Sequence, residues 1–391
     1  TGSKRVAVLS SIPDTSSCTG AVRTARNKSQ PGSHVGRQTP PNVLHRGDEL
    51  MTEATREPIA GPEGTVDAAV PWHYGDPHAE QRALVAGEAV VDLSHRGVVQ
   101  VVGPDRLSWL NDLVSHKVDG LPAGGSALAL ILDPKGHVEH ELHLVDDGAT
   151  TWITVEPGTA PALAKYLDSM RFMRRVEVRD VTELFAVVWR SVREHDSAHV
   201  TWMPPAEFAG VGVTPSGADR GGGADRYVAA RPATLVGAEV LVPREELSLY
   251  LGAARSLAGS WAYESLRVAA GVPRLGFETD HKTLPHEVGW IGTGVHLAKG
   301  CYRGQETVAR VHNLGRPPRR LVLLHLDGSV NELPEHGAVV MSGERVVGQV
   351  GTVVRHYELG PIATAVIKRN APVDVELTVA LPGEEGARVA A

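Results

Sequence analysis

Between residues 97 and 155 apolar side chains recur in blocks too short for long helices and too regular for loops. GVVQVVG (Gly97–Gly103) has the length of a strand. PDRLSWLNDLVS (Pro104–Ser115) changes the period: Leu107, Leu110, Leu113 and Val114 share a helical face, and Pro104 suits a first turn. SALALILDPKGHVEHELHLVDDGATTWITVE predicts three strands in a meander, turning at Asp133-Pro134-Lys135-Gly136 and Asp146-Asp147-Gly148. Before this block, AEQRALVAGEAVVDLS predicts a helix running into a strand. After it, TAPALAKYLDSM predicts an amphipathic helix and VEVRDVTELFAVVWR a return to strands. Further on, AEVLVP reads as a strand, and REELSLYLGAARSLA and SWAYESLRVAAGVPR as two helices. QETVARVHNLG reads as a short helix closed by Gly315. Beyond Arg316-Pro317-Pro318 the pattern becomes all-β, with short strands and glycine turns that suggest a small barrel. Helices and strands mix without strict alternation, so the expected class is α+β rather than a doubly wound sheet.

Two stretches stand outside this pattern. Residues 1–50 are rich in Ser, Thr, Gly, Pro and Arg and lack sustained apolar periodicity, so they cannot offset the entropy of ordering. Met51 opens a segment that reads like an ordinary protein start, and the preceding residues are expected to be disordered or upstream sequence. SGADRGGGADR (Ser216–Arg226) has the glycines of a phosphate loop but neither its Lys-Ser/Thr ending nor a strand-to-helix context. It is expected to be a surface insertion.

Composition narrows the function classes. The chain has 391 residues, a net charge of −7 and only two cysteines, which exclude a disulfide framework and favour a reducing compartment, most simply the cytoplasm. No apolar run approaches the roughly 20 residues of a bilayer helix. Seven Lys and Arg against three acids make residues 1–50 basic, and the acidic excess lies in the remainder. The body therefore has no basic face predicting direct DNA binding.

Candidate chemistry centres on KGCYRGQE (Lys299–Glu306). Gly300 and Gly304 flank Cys301 and let the backbone turn or approach a ligand. The helix that follows, with Lys299, Arg303 and Arg310 nearby, favours a thiolate; a small buried hydrophobe is the alternative. Eighteen histidines raise the question of metal. Strand alternation places Glu139, Glu141 and His143 on one face and His140 on the other, and such a set needs a further ligand from elsewhere. Two cysteines cannot hold a conventional cluster, so any iron–sulfur role is exercised on another protein or transiently through Cys301.

KGCYRGQE closely resembles the K-G-C-Y-x-G-Q-E signature of YgfZ-type folate-binding proteins, relatives of the T-protein (aminomethyltransferase) of the glycine cleavage system. VVDLSHRGVVQVVGPDRLSWLNDLVS, YESLRVAAGVPRLGFE and LPHEVGW resemble further family segments in the same order. The resemblance runs from about Trp72 to Val379. It implies two α+β lobes and a C-terminal barrel around a central channel for tetrahydrofolate. Residues 61–315 would form the lobes, 316–391 the barrel, and 1–60 would precede them. It implies a cytoplasmic accessory protein, monomeric and free of membrane, that contacts iron–sulfur enzymes or cluster-assembly proteins transiently, tRNA-modifying enzymes among them. Cys301 would be the reacting group. Lys299, Tyr302, Gln305, Arg267, Asp92 and Glu141 would be folate-contacting candidates. Arg267 equally suits an ion pair with Glu264, and Asp92 a turn cap. A folate-dependent aminomethyl- or methyltransferase is the alternative. Against it, an acidic pair of the transferases aligns with His140 and Glu141, and their pterin-holding glutamate with Leu235.

Overall fold

The structure, a computed structural model, describes residues 57–206, 208, 234–329, 331–372, 375–382 and, as backbone, 388–390. The first fifty residues with Cys18, and the Ser216–Arg226 insertion, lie outside the described residues.

Three large sheets organise the described residues, beside a two-stranded pairing of Ile59–Ala60 with Pro71–His73. The first has the strand order Gly125–Leu132, Val138–Asp146, Thr150–Val155, Gly97–Val102, Glu177–Asp180, all antiparallel. Its meander forms where the turn residues require it. Asp133 Oδ1 accepts from the Lys135 and His137 backbone N–H groups at 2.7 and 2.8 Å, and Asp147 Oδ1 does the same for Ala149 and Thr150. The run SALALIL is apolar on both faces because both are covered. Leu128, Leu130 and Leu132 enter one core and Ala127, Ala129 and Ile131 another. The second of these cores is closed by the helices Arg106–Leu113 and Ala160–Ser169, which Trp109 Nε1 ties together by donating to the Met170 carbonyl at 3.0 Å.

The second sheet has the order Val200–Trp202, Ala238–Pro243, Phe185–Arg190, Ala89–Asp92, Ser256–Ala258. Its Ala89, Val91, Val187, Trp189 and Leu241 share the first core with Leu128, Leu130 and Leu132, so the two sheets face each other. Its Val188, Val240 and Val242 pack against Leu247, Tyr250 and Leu251 of the helical segment behind it. REELSLYLGAARSLA departs from the sequence expectation. A 3₁₀ turn (Arg244–Glu246) and a short helix (Leu247–Gly252) are followed by an edge strand, Ser256–Ala258, which pairs in parallel with Ala89–Asp92. That pairing is non-local, so no local period reveals it.

The helix Ser260–Ala269 packs Ala262 and Tyr263 into the shared core and meets the third sheet through Val268 and Ala269 against Val354 and Ile362. The third sheet has the order Arg319–His325, Gly360–Lys368, Arg345–His356, Val339–Ser342, Thr378–Ala380, Arg388–Ala390. The KGCYRGQE loop precedes the helix Gln305–Leu314 and sits against the Asp133–Gly136 turn of the first sheet. Gly304 is left-handed (φ 80°), and a Cβ there would lie 2.6 Å from the Asp133 carbonyl oxygen, so only glycine fits.

Candidate functional site

Two places gather chemistry: a cleft between the facing sheets and the loop that carries Cys301.

The cleft is walled by charges from separate elements. Arg96, after the strand Ala89–Asp92, donates from Nη1 to Glu239 at 2.7 Å. Glu239 sits in the apolar strand AEVLVP and also accepts from Thr154 Oγ1 at 2.7 Å, while His143 Nδ1 lies 3.0 Å from both of its oxygens. His143 stacks on Trp202 with ring centres 3.7 Å apart and planes 2° from parallel. Burial works to lower the His143 pKa, but Glu239 and Glu141 outweigh it and push it up to about 9. Burial likewise works to raise the Glu239 pKa, and His143 and Arg96 hold it at about 2 instead. The two form a buried ion pair at neutral pH.

Arg274 anchors the other end. Gly271 (φ 61°) ends the preceding helix and Pro273 leads the chain back, so Arg274 points inward. Its Nε donates to Glu156 at 2.7 Å, and Nη1 and Nη2 hold Asp67 at 2.9 and 2.8 Å. Burial opposes the charged form of Asp67, yet Arg274 and His95 keep its pKa well below the usual carboxylate range.

The candidate set taken from the sequence divides between these places. Arg267 is buried and fully engaged. Its Nε and Nη2 donate to Glu264, Nη1 to the Val272 carbonyl and Glu278, and Nη2 also to Thr352 Oγ1 of the third sheet. Those bonds occupy its donor fork, so it ties the helix to the third sheet. Asp92 is half-buried and accepts from the Ser94 backbone N–H at 2.8 Å, as a turn cap does. Glu141 lines the cleft, and its nearest cation is His143 Nε2 at 3.7 Å. It keeps acceptor capacity that Glu239, engaged by Arg96, His143 and Thr154, has spent. His140 is on the opposite, buried face, where burial lowers its pKa. Glu139 does not share the face of Glu141 and His143 as alternation predicted. The register slips between Ile131 and Leu132, opposite residues 138–140, and Glu139 pairs with Arg303 at 3.0 Å. Leu235 is buried in the cleft wall beside Phe208.

Lys299, Cys301, Tyr302 and Gln305 remain together in the loop. Cys301 is exposed rather than the buried hydrophobe of the alternative reading. Tyr302 is buried in the shared core, and Lys299 Nζ lies 4.9 Å from the centre of its ring. Gln305 Nε2 donates to the Lys299 carbonyl at 3.3 Å. Arg303 stands over Tyr166 of the Ala160–Ser169 helix. Neither Cys301 nor Lys299 lines the cleft.

Arg96, Glu156, Glu239 and Arg274 were not singled out from the sequence. The one available cue was Glu239, an isolated charge in a run of strand-forming apolar residues, which signals a buried partner.

A pterin needs a carboxylate acceptor for its N–H groups, which Glu141 supplies, and a flat wall, which Trp202 and His143 supply. The space does not suit it. The cavity measures about 30 Å³ between its described walls, far less than the several hundred Å³ of a typical ligand pocket. The donor set fits and the volume does not, unless wall side chains move.

This is the fold of the aminomethyltransferases. The crystal structure of the glycine cleavage system aminomethyltransferase T from Bartonella henselae superposes with a TM-score of 0.60 over 82% of this chain and 89% of that one, at 18% identity. The GCVT N-terminal domain family matches residues 61–189. Among curated proteins, an aminomethyltransferase of Streptomyces coelicolor is 26% identical, with 82% of this chain and 87% of that protein covered. The tRNA-modifying protein YgfZ of Pectobacterium atrosepticum is 26% identical over 63% of this chain and 73% of its own. An iron–sulfur cluster assembly factor IBA57 homolog, mitochondrial, of Mycosarcoma maydis is 26% identical over 59% and 55%. The chain is thus similar over most of its length to aminomethyltransferases and over about three fifths of it to the YgfZ and IBA57 proteins. No helix among the described residues is long and apolar enough to cross a membrane.

Proposed function

We propose that the chain is an accessory protein that supports iron–sulfur cluster assembly or repair, including in enzymes that modify tRNA, with Cys301 as its reacting group. The observation that carries this reading is the exposure of the thiol. The loop buries Lys299 and Tyr302 and presents the sulfur between them to solvent, directly before a helix. The YgfZ and IBA57 relatives support the setting by their names. Its partners are transient, because a reacting surface thiol serves by encounter. In a strain lacking the gene, the native chain should restore the activity of an iron–sulfur enzyme and Cys301→Ser should not. Full restoration by Cys301→Ser would remove the thiol from the account.

A reduced folate is the ligand proposed for the cleft, resting on the spare acceptor capacity of Glu141. Because the cavity is far smaller than a pterin, entry requires the wall to yield, and Leu235 is the residue to reduce. Leu235→Ala should cost about 2–3 kcal/mol of stability and bind tetrahydrofolate more tightly than the native chain in a calorimetric titration. No binding heat from either protein would remove folate. Of the pair aligned with the transferase acids, only Glu141 reaches the cleft, so transfer of an aminomethyl group is not favoured.

A further inference from the structure

Lys299 is buried in a way lysines avoid. The residue is 6% exposed, and its Nζ has no hydrogen-bond partner among the described residues. Burying an ammonium without an acceptor is costly, and lysine is almost never so buried unless paired. Tyr302 offers only its ring face, which attracts the cation but uses none of its three N–H donors as a carboxylate would. Burial works to lower the Lys299 pKa and prevails over Asp112, Asp119 and Cys301, which favour its charge; among the described residues neither aspartate forms an ion pair with it. The cost is unexplained by folding and has its explanation in a ligand: an anion held at this loop, beside an exposed thiol.

We propose that Lys299 and Cys301 form a site for sulfane sulfur, in which Cys301 receives a sulfur atom from a small hydropersulfide and the Lys299 ammonium holds the persulfide anion that results. This deepens the reading of Cys301 as the reacting group and rests on it. In the transfer the Cys301 thiolate attacks the outer sulfur of a donor R–S–SH. A bond forms between Cys301 Sγ and that sulfur, and the sulfur–sulfur bond of the donor breaks. The donor leaves as R–S⁻ and takes up the proton that Cys301 gave up, so R–SH departs. Cys301 is oxidised to the persulfide level and the donor is reduced to a thiol, with no outside oxidant or reductant. The new persulfide then loses its own proton to solvent. Its negative terminal sulfur stands one atom beyond Sγ. The water around an exposed thiolate already stabilises it; the longer anion is what needs the ammonium.

The test uses the full chain with Cys18→Ser, treated with glutathione hydropersulfide and desalted. Mass spectrometry of the Cys301 peptide follows the one added sulfur over time. Each variant is normalised to the rate at which iodoacetamide alkylates its own unmodified thiol. Lys299→Met should lose the sulfur about tenfold faster than the parent, the value of one charge-assisted contact, and Lys299→Arg should recover most of the lifetime. Equal normalised lifetimes in the parent and Lys299→Met would overturn the proposal. If Lys299→Met melts early, the parent alone decides: thiocyanate should compete for the ammonium and shorten the persulfide lifetime, and no dependence on it would overturn the proposal. Failure here, with function still lost in Cys301→Ser, leaves the accessory reading intact. Function kept by Cys301→Ser removes both.

Discussion

Replacing Arg274 by methionine should cost about 3–5 kcal/mol of folding stability, the range for removing one partner of a buried ion pair. Arg274 is the cation shared by Asp67 and Glu156, and both carboxylates are buried. Methionine keeps the bulk of the side chain and removes the guanidinium that contacts both anions. His95 remains beside Asp67 at 2.8 Å, and Arg96 approaches Glu156 only at 3.6 Å. Since domains are stable by roughly 5–15 kcal/mol in all, the variant should lie near its unfolding threshold. Urea melts of the native chain and Arg274→Met measure the difference. Adding Asp67→Asn and Glu156→Gln to Arg274→Met should return part of the loss, because the penalty lies in stranded charge. A loss under about 1 kcal/mol would put Arg274 among weak surface pairs and contradict the buried cluster.

Alkaline pH should weaken the fold through His143. Its pKa in the folded chain is raised to about 9, against an ordinary value of 6.5. A group whose pKa is raised on folding gives stability that is complete below its unfolded value and is lost as pH rises through the folded one. The window is therefore from about pH 6.5 to about pH 9 and slightly beyond. The loss should be about 3 kcal/mol. Glu239 contributes in the opposite window. Its lowered pKa gives stability above the ordinary carboxylate range and loses it only as pH falls toward about 2. Urea melts across the alkaline window should show a steep fall for the native chain and a shallow one for His143→Gln. Parallel slopes for the two proteins would show that His143 is neutral in the folded state.

The meander from Gly125 to Val155 was readable because its turns and its alternation are local. Asp133 and Asp147 close their turns with bonds spanning two to four residues, and both faces of SALALIL are covered. The edge strand Ser256–Ala258 was not readable, because its identity comes from a parallel partner far back in the chain. A register slip opposite residues 138–140 sent Glu139 to a different face from Glu141, and slips of this kind leave no mark in a period-two pattern. At the site, the loop around Cys301 was legible because its signature is contiguous. The cleft was not. Arg96, Glu156, Glu239 and Arg274 come from four places, all but Glu239 look like surface charge in isolation, and only folding makes them neighbours. Arg267 shows the converse. A matched segment pointed to a ligand, and the structure shows its guanidinium occupied by Glu264, Glu278 and Thr352.

Chemical blocking of one sulfur in an otherwise native protein tests the thiol account most directly. The chain carrying Cys18→Ser is alkylated with iodoacetamide until Cys301 is fully modified, and its melting temperature is checked against the untreated protein. Both are added to an extract of the gene-deleted strain, and the recovery of an iron–sulfur enzyme's activity is followed. The untreated protein should restore activity and the alkylated protein should not. Equal recovery from the two would show that the exposed sulfur of Cys301 plays no part in what the protein does.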